Sequence, residues 1–183
     1  LAVAEGLRRN RLTAAFRLIL AIPHLVWVSL WGVAVGIAVI VAWFAALFTG
    51  RVPDALHGFM AQFLRYVTHV YAYVLLMADP FPGFLGDRPY PVDLAVAPPA
   101  RQNRWIVGFR VIMAIPAAIM SQALSYVIWA LAVLSWFAIL FTGRQPLGLR
   151  DLSAFVVRFN QQFHGYLILL TDRYPDFSPG PPR

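Results

Sequence analysis

The chain is 183 residues long, 60% hydrophobic and 13% charged, with a formal net charge of +7 and a pI near 10.6. It has no cysteine, and every basic residue is arginine, which excludes disulfides, thiolate catalysis and cysteine-ligated metals. Two runs, Leu18–Gly50 and Val111–Gly143, contain no Asp, Glu, Lys or Arg; a soluble protein of this size does not hide two such runs, so the basic balance reads as arginines bordering membrane segments and not as nucleic-acid binding.

Each uncharged run is 33 residues long. A bilayer core of about 30 Å is crossed by roughly 20 helical residues, so each run is longer than one span and too short for two with a turn. Pro23 in "AIPHL" and Pro116 in "AIPAA" divide the runs at matching places, because an interior proline removes a helix hydrogen bond and suits a first turn. The first element is then a short helix over Leu12–Ile22, with Arg17 among apolar residues, lying in the headgroup region. The second, Pro23–Phe48, is a transmembrane span. It stops at "FTGR", where Gly50 supplies a left-handed cap and Arg51 returns the chain to water or phosphate. The third, Asp54–Ala78, carries an apolar stripe of Leu56, Phe59, Met60, Phe63, Val67, Val70 and Val74 against Gln62, Arg65, Thr68 and His69. Its apolar end, "VYAYVLLMA", favours a second span with the polar face turned inward. The other arrangement, a helix lying flat, leaves one span per repeat and sets the repeats facing opposite ways.

These elements occur twice. A shift of 93 residues aligns Asn10–Phe84 with Asn103–Phe177 without a gap, with 25 of 75 positions identical. The organisation is therefore a membrane repeat over 10–84, a linker over 85–102, a second repeat over 103–177 and a tail over 178–183. The linker, "GDRPYPVDLAVAPPARQ", is rich in proline and mixed in charge, and reads as solvated chain without regular structure. The fold expected is all-α: an integral membrane bundle of two tandem repeats, with four transmembrane helices and two short interfacial helices. With four spans both repeats share one orientation. Arg8, Arg9, Arg11, Arg17, Arg88, Arg101, Arg104, Arg110, Arg173 and Arg183 then lie on one side against Arg51, Arg144 and Arg150, which makes the protein a multi-pass inner-membrane protein with cytoplasmic termini.

Arg65 and Arg158 stand in the middle of the third helix of each repeat. A charge at that depth costs about 2.5–3.5 kcal/mol unless it is paired or reaches water, and no carboxylate of the same helix is near. A partner must come from a lipid headgroup, a ligand, backbone carbonyls or another subunit. His69 extends the polar row in repeat one and Gln162 in repeat two, which breaks any proton relay. Arg17 and Arg110, with Arg11, Arg51, Arg104 and Arg144, are candidates for phosphate contacts through the planar guanidinium fork. Asp79 and Asp172 close the repeats near Arg17 and Arg110, where a pair would tie the end of a unit to its beginning. Trp43, Arg51, Trp136 and Arg144 are expected as interfacial anchors. His24, His57 and His164 are scattered without carboxylates at ligand spacing, so neither a metal nor a cofactor is expected. No nucleophile elbow, phosphate-binding glycine loop or pair of catalytic carboxylates occurs, so no enzymatic activity is expected.

The set "FRLILAIPH", "AWFAALFTGRVP" and "YVLLMADPFPGF", with its second copy "FRVIMAIP", "SWFAILFTGRQP" and "YLILLTDRYPDF", resembles the prokaryotic membrane family known as domain of unknown function 4389. The resemblance covers one domain per repeat and implies a small helical membrane domain, often duplicated, with no activity to carry over. Repeat one departs from it at Pro80, where repeat two has Arg173.

The expected function is a non-enzymatic accessory or scaffold subunit that binds anionic lipid and a protein partner in a larger membrane or envelope complex. Its lipid or anion candidates are Arg17, Arg65, His69, Arg110, Arg158 and Gln162. The alternative is a transporter or channel component that moves an anion or amphiphile along a pathway lined by Arg65 and Arg158.

Overall fold

The structure, a computed structural model, describes residues 2–3 and 11–177. Four helices make up the fold: α1 (Arg11–Thr49), α2 (Asp54–Val74), α3 (Arg104–Thr142) and α4 (Leu147–Leu167). Two short strands, β1 (Ala2–Val3) and β2 (Val92–Asp93), pair antiparallel. Arg8, Arg9 and the tail 178–183 lie outside the described residues.

The expected breaks at Pro23 and Pro116 do not occur. Each proline sits inside a continuous helix of 39 residues, so the two elements expected as short interfacial helices are continuous with the two expected as spans. Tertiary packing overrides the local signal: Arg17, Ala21 and His24 on either side of Pro23 are buried in one stripe against the rest of the repeat, and Arg110, Ala114 and Ala117 form the same stripe around Pro116. Holding both flanks in one register outweighs the lost hydrogen bond. The Thr-Gly stop forms as expected, with Gly50 and Gly143 left-handed at φ 74° and 70° and the Thr49 and Thr142 hydroxyls bonded to the carbonyls of Ala45 and Ala138.

After the stop the chain doubles back, and α2 runs antiparallel to α1. Phe63 meets Trp31 with ring centroids 5.6 Å apart, Tyr66 meets His24, and Tyr73 meets Arg17. α4 repeats this against α3. The α2 helix ends at Val74, earlier than Ala78, in a Schellman turn: Met77 N–H bonds Ala72 O and Leu76 N–H bonds Tyr73 O. The left-handed residue there is Leu76 at φ 62°, and Leu169 repeats it at φ 66°. A leucine in this conformation costs about 1–2 kcal/mol, offset because both side chains are almost fully buried.

The repeats join through α1 and α3. Trp43 Nε1 donates to Val107 O at 2.9 Å, and Trp136 Nε1 donates to Ala14 O at 3.1 Å. Residue 43 with 107 and residue 14 with 136 place the two helices antiparallel. Since 14 and 107, and 43 and 136, are repeat equivalents, the contact is reciprocal about a pseudo-two-fold axis. The shared orientation expected with four spans is therefore wrong: the repeats are inverted, as in the alternative with one long apolar helix per repeat. Similarity under translation along a sequence carries no information about the rotation that relates the copies in space. An axis exchanging two antiparallel helices runs perpendicular to the plane that holds both, so α2 and α4 lie on the same side of the α1–α3 layer. They touch where Gly165 lies against Leu64.

The linker is not free in solvent. It runs back along α2 in irregular, extended form. Leu85 O accepts from Gln62, Gly86 lies on the Tyr66 backbone, Asp93 meets Arg65, Arg101 bridges Arg51, and Gln102 N–H bonds Gly50 O at 2.8 Å. Its Val92 is fully buried. Arg101 and Arg51 are therefore neighbours, which removes the charge partition expected to orient the chain.

Among the described residues, α1 from Ala14 to Thr49 and α3 from Arg104 to Thr142 are the two helices long and apolar enough to cross a membrane. Their exposed outer faces carry large apolar side chains from Phe16 to Phe48 and from Trp105 to Phe141.

Candidate functional site

Arg17 is 1% exposed. Its Nη1 donates to Tyr73 O at 2.9 Å and Ala78 O at 2.8 Å, and its Nη2 donates to Asp79 at 2.7 Å. The guanidinium also lies 4.5 Å from the centroid of the Tyr73 ring. It thus satisfies carbonyls that the end of α2 leaves without helical partners, at the pole of the helix that favours a cation. Arg110, also 1% exposed, repeats the arrangement with Tyr166 O, with Thr171 O at 2.8 Å, with Asp172 at 2.6 Å and with the Tyr166 ring. It adds Gln102 Oε1 at 3.0 Å. The tie from the end of each unit to its beginning forms as expected. Both arginines face inward, so neither presents its fork to a headgroup.

Arg65 has a partner that its own helix does not supply. Its Nε and Nη2 donate to the two oxygens of Asp93 at 2.7 and 2.5 Å. The same carboxylate accepts from His69 Nε2 at 2.9 Å and from Leu94 N–H at 2.9 Å, and Tyr90 stacks on the His69 ring. Burial alone would push the Asp93 carboxyl up, but the bonds from Arg65, His69 and Leu94 outweigh it and hold it well below the usual carboxylate range. Burial pushes His69 below its ordinary value against the pull of Asp93, so at neutral pH the ring is neutral with its Nε2 proton directed to the carboxylate.

Both shifts have the same sign. The unfolded chain takes up a proton at His69 below its ordinary 6.5 and at Asp93 below its ordinary 3.8, while the folded chain resists both, so stability is present above those values and is lost as pH falls. Asp93→Asn leaves Arg65 without its carboxylate and is expected to cost about 1–3 kcal/mol at pH 7. Melting temperature measured from pH 7 to pH 3 should show the wild type losing stability below pH 4 and the variant losing less over that step.

In repeat two the row is built differently, and Asp93 lies in the linker between the repeats. The Arg158 guanidinium lies 5.8 Å from the centroid of the Phe155 ring. Gln162 Oε1 accepts from Asp176 N–H, and Phe177 stacks on Phe159 with centroids 4.8 Å apart. Arg65 and Arg158 thus belong to separate clusters. Trp43 and Trp136 are half-buried clamps between the repeats, a role not legible in their position beside an apolar run.

Exposed arginine gathers at the ends of the α1–α3 layer. At one end Arg51, bonded to Asp54 at 2.8 Å, and Arg101 line an open cleft of about 560 Å³ with Thr49, Val52, Pro53 and Pro99. Arg104 adjoins it beside Gly50. Arg144 is exposed at the other end. Among the described residues no group of three or more His, Asp or Glu side chains is placed to hold a metal.

The family described as Domain of unknown function (DUF4389) matches residues 11–86 and 104–178, one copy over each repeat. No curated protein and no solved structure matches the chain.

Proposed function

The chain belongs to this DUF4389 family, with one domain in each repeat, and from that premise we propose that it is a non-enzymatic membrane protein that binds anionic lipid and serves as an accessory or scaffold subunit. The observation that carries the reading is the outer face of α1 and α3: exposed apolar side chains along both helices, no charge from Leu18 to Gly50 or from Val111 to Gly143, and exposed arginines at the ends. Such a face matches acyl chains, and its borders match phosphate. Lipid contact belongs to the exposed Arg51, Arg101, Arg104 and Arg144, not to Arg17 and Arg110, which are buried against carboxylates of the chain, or to Arg65, which is part-buried on Asp93. A pathway lined by Arg65 and Arg158 draws no support from this geometry.

Flotation tests the reading. The purified chain should rise with vesicles of neutral lipid, and more completely when phosphatidylglycerol is included. Changing Arg101, Arg104 and Arg144 together to glutamine should weaken the anionic preference by about 1 kcal/mol per arginine, roughly a hundredfold in all. A chain that stays with the aqueous fraction overturns the proposal. Native mass spectrometry after mild extraction should retain anionic lipid and a protein partner, and extraction as a bare monomer counts against the accessory role.

A further inference from the structure

We propose that the protein lies in one leaflet instead of crossing the membrane, with α1 and α3 parallel to the surface and sunk into the acyl region, and with α2, α4 and the linker in the water above them. The inference rests on the lipid-binding reading and specifies the surface bound: the acyl chains of a single leaflet with anionic headgroups.

Three observations lead there. The exposed apolar strip runs from Phe16 to Phe48 on α1 and from Phe109 to Phe141 on α3, 33 residues in each case, with a rise of about 48 Å from first to last. Fitting that length across a core of about 30 Å needs a tilt of about 50°, outside the 0–40° seen for membrane helices. A helix lying in the plane meets no such limit.

The second observation is the linker. It runs beside α2 from Gly86 on Tyr66 to Arg101 on Arg51, with Asp87, Arg88 and Arg101 exposed. Were the α1–α3 pair upright, this irregular backbone and its charges would stand at membrane depth facing lipid, where unsatisfied backbone groups are not tolerated. Laid flat, the same segment is in water.

The third is symmetry. The pseudo-two-fold axis is perpendicular to the α1–α3 layer, so both repeats present the same face to one plane, and the arginines at the two ends, Arg51 and Arg101 at one and Arg144 at the other, sit at the same depth. An upright chain would place them on opposite sides of the bilayer.

The absence of cysteine allows a direct test in the full chain. Pro80→Cys, beside Asp79 at the N-terminal end of α1, Ala95→Cys in the middle of the linker, and Ala100→Cys, at the C-terminal end of α1, each place a thiol at an exposed position. In sealed right-side-out and inverted vesicles from expressing cells, an impermeant maleimide should label all three from one and the same face and none from the other. Labelling of Pro80→Cys and Ala100→Cys from opposite faces, or an Ala95→Cys protected from both, overturns the flat orientation while leaving the membrane reading in place. A chain that does not sediment with vesicles and is a soluble dimer covering its own apolar face overturns both. The unmodified protein offers a second readout that no substitution can disturb: since all four helices run nearly parallel or antiparallel, polarised infrared absorption of oriented bilayers should place their axes in the membrane plane. Axes near the membrane normal overturn the proposal.

Discussion

Arg17→Ala is expected to unfold a large share of the protein, costing about 3–5 kcal/mol, the range for removing one member of a buried ion pair. Three acceptors lose their donor at once: the carbonyls of Tyr73 and Ala78 and the carboxylate of Asp79. The Schellman turn that ends α2 loses its cap with them. Arg110→Ala should cost a similar amount, since Arg110 meets the equivalent carbonyls and Asp172 and in addition holds Gln102, which itself donates to Leu169 O at 2.7 Å. Lysine should recover less than half of the loss at either site, because a point ammonium cannot serve acceptors spread along a planar fork or lie flat on the tyrosine ring. Asp79→Asn should be milder than Arg17→Ala, as its carboxylate is 29% exposed and water replaces part of the bond. Thermal unfolding in mild detergent, followed by helical circular dichroism, separates these variants, and an Arg17→Ala protein as stable as the wild type refutes the capping role.

Gly86→Ala is the second large effect. Gly86 has φ +64°, and a Cβ there would lie 2.9 Å from the N, Cα and Cβ of Tyr66. Backbone cannot move aside as a flexible side chain can, so the overpacking adds to the left-handed strain, together about 2–4 kcal/mol. The linker leaves α2, and the Arg65–Asp93–His69 cluster opens behind it. Limited trypsin digestion should report this as faster cleavage of the Arg101–Gln102 bond, with α1 and α3 still intact. Unchanged cleavage means that the linker is not clamped at Gly86.

The repeat, the helical class and the Thr-Gly stop were legible in the sequence because each depends on neighbouring residues: a conserved spacing, an apolar run, a glycine that alone adopts φ near 70° without cost. The tie between Arg17 and Asp79 was legible too, because the duplication shows it twice. What escaped depends on distant chain. Pro23 signals a break locally, yet Arg17 and His24 on its two flanks are held by α2 and the loop after it. Arg65 finds Asp93, 28 residues away in a segment whose prolines mark it as linker; the only sequence signal was that Asp93 sits in "PVDLAV", an apolar setting for a carboxylate that is meant to be solvated. The inversion of the repeats followed from the sequence only in the alternative where the third helix lies flat; the contacts that fix it, Trp43 and Trp136 reaching across to Val107 and Ala14 on the other copy, had no local signal.

That crossing of tryptophans has a consequence for how such a chain arises. A contact in which residue i of one unit meets residue j of the other, and j meets i, is the isologous contact of a two-fold homodimer. A polypeptide holding a single unit carries both the indole and the carbonyl that receives it, so two such polypeptides make between them the contacts that here lie within one. The doubled chain has the geometry of a two-fold dimer held in one polypeptide. Within one chain the two halves need not be identical, and Asp93 stands in the segment that joins them.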